Sequence, residues 1–94
     1  MLKSRTLLLS AFSALSLMTA QAFADPQCTD APQNQWQNPE TFQQSLKAQG
    51  YEIKKFKQTK TNCYEIYGHN NKGQRVEIYF NPVNGEAVKT EIED

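Results

Sequence analysis

His69 is the only histidine in this chain, and Cys28 and Cys63 are its only cysteines. These three residues, with the carboxylates Glu65 and Glu77, are the ones whose chemistry could make an enzyme. A Cys–His nucleophilic pair needs a free thiolate at Cys63. A redox pair needs the two cysteines close together in sequence, and there is no Cys-x-x-Cys. One histidine and two distant cysteines do not complete a metal site. Glu65 and Glu77 could be read as paired carboxylates, but on an exposed sheet they serve as solubilising charges. There is no phosphate-binding loop and no metal-ligand spacing. A chain this short also has little material to surround a substrate. The residues therefore describe a non-enzymatic protein with no cofactor and no metal.

The compartment explains the cysteines. Lys3 and Arg5 are followed by an apolar run from Leu7 to Met18, then by Ala22-Phe23-Ala24. A basic start, a short apolar stretch and a small-x-small site make the pattern of a secretory signal peptide. The apolar run is too short for a membrane span, which takes about 20 residues. Residues 1–24 are expected to be removed between Ala24 and Asp25, leaving no membrane span. The residue directly after the cut is Asp25 and not a cysteine, which argues against a lipid-anchored form. The product would be periplasmic or secreted. In such an oxidising setting an even cysteine count reads as a disulfide, here Cys28–Cys63. Loop-closure entropy for that span is worth about 3.8 kcal/mol. A core of this size supplies roughly 3–5 kcal/mol, so the bridge carries a large share of the stability.

Setting aside Lys3 and Arg5 leaves eight basic against ten acidic residues, a net charge of −2. That balance excludes nucleic acid as a partner. The lysines cluster at Lys54, Lys55, Lys57 and Lys60. Lysines at a strand edge deter edge-to-edge aggregation, and the same run would also serve as an anion- or partner-binding edge.

The mature chain reads as one domain. Residues 25–35 form a polar, extended leader without periodicity, and residues 36–94 form the domain proper. Trp36 is placed as a lid over the helix–sheet junction. Asn38-Pro39-Glu40 is a helix start, with Asn as cap, Pro at the first position and Glu near the positive end. Phe42 and Leu46 share a face, and Gly50 ends the helix near residue 49. Tyr51–Phe56 is a strand in which Phe56 falls out of phase, and a bulge near Lys54-Lys55 restores it. Cys63–His69 and Gln74–Phe80 are the next two strands. Glu86–Ile92 is a fourth: a short helix would also align Val88 with Ile92, but the preceding turn and the β-branched residues favour a strand.

The hairpin fixes the register. A three-residue loop Asn71-Lys72-Gly73 pairs Gly68 with Val76, Ile66 with Ile78 and Tyr64 with Phe80. Every apolar residue then lands on one face, and a shift by one residue would mix the faces. The other face carries Glu65, Tyr67, His69, Arg75, Glu77 and Tyr79, and nothing obvious in so short a chain covers it. Such a mixture suits solvent on one side of an antiparallel sheet. It also suits a partner, since Tyr and Arg are favoured at interfaces, which makes these six residues the candidate binding face. The fold class is α+β: one N-terminal helix packed on an antiparallel meander of three to four strands, with one disulfide.

The order of these elements resembles a family. A helix ends in Gly50-Tyr51-Glu52-Ile53, Cys63-Tyr64-Glu65-Ile66-Tyr67 follows, and Lys72 to Phe80 leads into Asn81-Pro82-Val83-Asn84-Gly85-Glu86. This is similar to the PepSY domain, shared by propeptides of thermolysin-like metallopeptidases and by small exported bacterial proteins. The family's closing turn usually reads Asp-Pro-x-Thr-Gly, and this chain differs at Asn81 and Asn84. The resemblance implies a helix on an antiparallel sheet and inhibition or regulation of a peptidase in the cell envelope. Because no peptidase domain follows, such inhibition would act in trans. The alternative expectation is a sensor or accessory domain that binds a small ligand, or a membrane sensor or transporter protein.

Overall fold

A computed structural model describes residues 25–93. The expected signal peptide and its cut after Ala24 lie outside the described residues. Asn38 caps helix α1 (Pro39–Ala48), its Oδ1 accepting from the Glu40 and Thr41 amides at 2.9 and 3.0 Å. Such a cap satisfies amides that have no partner within the helix. Gly50 terminates the helix at φ 102°. Four strands follow, β1 (Glu52–Gln58), β2 (Tyr64–His69), β3 (Arg75–Phe80) and β4 (Ala87–Glu93), in one antiparallel sheet of order β1-β2-β3-β4. A 3₁₀ turn, Gln33–Gln35, precedes the helix.

The β2–β3 register follows the hydrophobic pattern. Tyr64 pairs with Phe80, Ile66 with Ile78, Gly68 with Val76, and His69 with Arg75. The β1 bulge falls at Lys54, so that Ile53 pairs with Gly68 and Lys55 with Tyr67. Phe56 thereby returns to the core face, opposite Ile66. The β1 backbone lies so close that a Cβ on Gly68 would collide with the Glu52 carbonyl oxygen. Residues 87–93 are strand, with a second irregularity where Tyr79 pairs with Lys89 and Phe80 with Ala87.

The core lies between α1 and the sheet. Phe42 and Leu46 meet Tyr64, Ile66, Val76, Ile78 and Phe80, with Trp36, Tyr51, Ile53 and Phe56 around them. Tyr64 sits at the aromatic centre, its ring 5.2 Å from Phe42, 5.1 Å from Phe56 and 5.8 Å from Trp36. Its hydroxyl donates to the Gln37 carbonyl at 2.7 Å, which satisfies its polar end. No β4 residue belongs to this buried cluster. Val88 and Ile92 stay 45% and 52% exposed.

Candidate functional site

Strand parity places Glu65, Tyr67, His69, Arg75, Glu77 and Tyr79 together on the face opposite α1, and the leader divides that face in two. Cys63 precedes the inward-facing Tyr64, so it points outward and takes Cys28 onto the far side. The Cys28–Cys63 disulfide spans a Cα–Cα distance of 5.1 Å. Backbone and amide bonds complete the attachment. The Cys28 amide donates to Thr61 O at 3.2 Å, Asn62 Nδ2 to Thr29 O at 3.2 Å, and Asn81 Nδ2 to Cys28 O at 3.0 Å.

The expectation of an uncovered face is corrected here. Glu65 is only 3% exposed and Tyr79 only 7%. Tyr79 packs with the two half-cystines in a second apolar cluster. A short polar leader covers this half because it is bonded down through its backbone and one bridge, which a hydrophobic pattern does not display. The signal that could have shown it was the outward parity of Cys63.

The other half stays accessible. Tyr67 is 38% exposed, Arg75 is exposed, and His69 and Glu77 are half-buried. They line an open concavity of about 610 Å³ with Lys54 and Glu93. Arg75 Nε lies 3.2 Å from Glu93 Oε1. His69 Nδ1 lies 3.0 Å from Glu52 Oε1 without forming a hydrogen bond to it. Sequence reasoning put Lys54 on the edge but gave no role to Glu52 or Glu93.

Where the two halves meet, carboxyls and phenols form one network. The Tyr79 hydroxyl proton lies between Glu77 Oε2 at 3.0 Å and Asp25 Oδ1 at 3.3 Å. Glu65 Oε2 is buried and accepts no hydrogen bond. An ionised Glu65 would leave that oxygen unsatisfied, whereas a protonated one can donate to Glu77. Burial first, and the hydrogen bond to Glu77 second, push the Glu65 carboxyl above its ordinary range. The same hydrogen bond from Glu65, reinforced by Tyr67 and Tyr79, holds Glu77 below its own, against the opposing effect of burial. Hydrogen bonding to Glu77 and then Glu65 raises the Tyr67 phenol, and burial and then Glu77 raise Tyr79. The two carboxyls are thus shifted in opposite directions, Glu65 toward its neutral form and Glu77 toward its charged form, and both phenols are held protonated. Among the described residues no group of three His, Cys, Asp or Glu is placed to hold a metal. The accessible half offers cationic donors, an aromatic ring and carboxylates within one concavity, a surface suited to recognition.

The closing turn gives the leader its anchor. Asn81 Oδ1 accepts from the Val83 amide at 2.8 Å, and Asn84 Oδ1 from the Glu86 amide at 2.9 Å. Gly85 sits at φ 78°, as the turn requires. A family model described as peptidase propeptide and YPEB domain, of the PepSY group, matches residues 8–91. The chain belongs to the PepSY family. PepSY modules of this description are propeptide and regulatory units. No curated protein and no solved structure matches the chain. In this PepSY chain Asn81 performs the turn role expected of the family's Asp and adds a donor that Asp lacks, the Nδ2 bond to Cys28 O. No described helix is long and apolar enough to cross a membrane.

Proposed function

We propose that this protein is an exported, non-catalytic PepSY module that binds and regulates a peptidase in the cell envelope, acting in trans. Family membership under the peptidase-propeptide description is the observation that carries the reading. The accessible half of the far face supports it. Tyr67 and Arg75 project there beside a concavity, and aromatic and Arg side chains are the favoured anchors of protein interfaces. Export and a periplasmic location rest on the sequence of residues 1–24, and the Cys28–Cys63 bridge is in keeping with an oxidising compartment. Glu65 and Tyr79 are buried, so the contact surface narrows to Tyr67, His69, Arg75 and Glu77 with Lys54 and Glu93 around them.

The test is a titration of envelope peptidases with oxidised 25–94. A peptidase inhibited at stoichiometric protein, and released by Tyr67→Ala plus Arg75→Ala, supports the reading. Inhibition indifferent to those substitutions would remove the face from the account.

A further inference from the structure

The two edges of the sheet are not alike. The β1 edge carries Lys54, Lys55 and Lys57 and a bulge in mid-strand, the usual protection against another strand. The β4 edge has its irregularity at the start, at Val88, and runs regularly from Lys89 to Glu93. Its outer backbone groups pair with no strand among the described residues. On the α1 side it presents Val88 and Ile92, two of the three exposed large hydrophobic residues among those described. On the far side Lys89 Nζ lies 3.3 Å from Glu91 Oε2.

The β4 sequence is self-complementary about Thr90. An antiparallel pairing of β4 with a second β4, centred on that residue, sets Lys89 opposite Glu91 and Glu91 opposite Lys89. It sets Val88 opposite Ile92 at both ends. Charges meet opposite charges on one face and apolar residues meet on the other. Moving the centre to Lys89 or to Glu91 puts like charges directly opposite each other, which is destabilising. Residues of equal parity face each other in the Thr90 register, so both helices fall on the same side of one eight-stranded sheet. A two-fold axis requires this kind of self-complementarity.

We infer that the protein forms a two-fold dimer by antiparallel pairing of β4 with β4 of a second copy, centred on Thr90. The β4 edge meets the Tyr67–Arg75 concavity only at its last residue, Glu93, and the inference stands or falls independently of the proposed function.

Thr90→Cys tests the register directly. Directly opposed residues of an antiparallel pair have Cα atoms about 4.5–5.5 Å apart, within the span of a disulfide. Under mild oxidation the Thr90→Cys protein should become a covalent dimer. Glu93→Cys, whose thiols would lie well apart in this register, should not. Light scattering of the wild type should show a concentration-dependent dimer. Lys89→Glu places glutamates opposite one another at both symmetric positions and should weaken dimerisation about tenfold. Lys89→Glu combined with Glu91→Lys restores the pairing and should restore the dimer. Melting curves check that each variant is folded. A wild type that stays monomeric up to about 1 mM overturns the inference. So does a dimer that ignores the Lys89 and Glu91 reversals, or one that crosslinks equally through both new cysteines.

Discussion

Reducing the Cys28–Cys63 bridge should both destabilise the domain and lift the leader from the far face. The two half-cystines are 35 positions apart in sequence. Freeing that loop in the unfolded chain is worth about 3.8 kcal/mol in the chain-entropy description. For a domain of this size each kcal/mol moves the melting temperature by roughly 4–8 °C, so the midpoint should fall by about 15–30 °C. The structure adds a second consequence. The bridge holds Cys28 beside Tyr79, and the remaining leader contacts include single hydrogen bonds to Trp36, Thr61, Asn62, Tyr79 and Asn81. Each such bond contributes only about 1 kcal/mol net. Without the bridge the leader should open locally well before the sheet unfolds. Thermal melting with and without reductant gives the first number, and Cys28→Ser repeats it without reductant. Hydrogen exchange at native temperature gives the second, as early loss of protection at the Cys28 amide while the β2–β3 amides remain protected. An unchanged melting curve would refute the energetic argument. Equal protection at Cys28 in both redox states would refute the structural one.

Glu65→Gln tests the opposite shifts of the two acids. The Glu65 pKa is raised in the fold, so its stabilising contribution is complete below the ordinary carboxylate range and disappears as pH rises through the raised value. The Glu77 pKa is lowered, so its contribution is present above that range and lost as pH falls through the lowered value. Stability should therefore peak between the two. An amide at position 65 donates at every pH, and the variant should exceed wild type by about 1–3 kcal/mol on the alkaline side of that window only; parallel pH profiles of denaturation would contradict this. Asn81→Asp should keep the closing turn and lose the donor to Cys28, reducing stability by about 1 kcal/mol and raising exchange at leader amides more than at the Val83 amide. Gly68→Ala must push its methyl into the Glu52 carbonyl and should destabilise by about 1–3 kcal/mol as an overpacked site, with β1 amides losing protection first.

The β2–β3 hairpin was readable because two independent constraints coincide. Gly73 takes a positive φ of 79° and closes a three-residue loop, and only that loop length puts Ile66, Ile78, Tyr64 and Phe80 on one side. The β1 bulge was readable for a similar reason, since Phe56 could reach the core in no other way. The docking of the leader was written less plainly. Residues 25–35 have no periodicity, and what fastens them is carbonyl oxygens and amides common to any sequence. Only the parity of Cys63 pointed to the covered face. Glu65 was consequently read as a solvent charge when it is a buried acid. Val88 and Ile92 illustrate the opposite limit: alternation marks a strand, but it does not say how far a ten-residue helix extends over a four-stranded sheet.

The most direct test of the functional account is inhibition of envelope peptidases from the same cell by oxidised 25–94, measured beside the folded Tyr67→Ala/Arg75→Ala variant. The account predicts saturable inhibition of at least one peptidase by the wild type, with the variant weakened tenfold or more, the scale of a single interface anchor at about 1.4 kcal/mol. No inhibited peptidase, or equal inhibition by the variant, would contradict it.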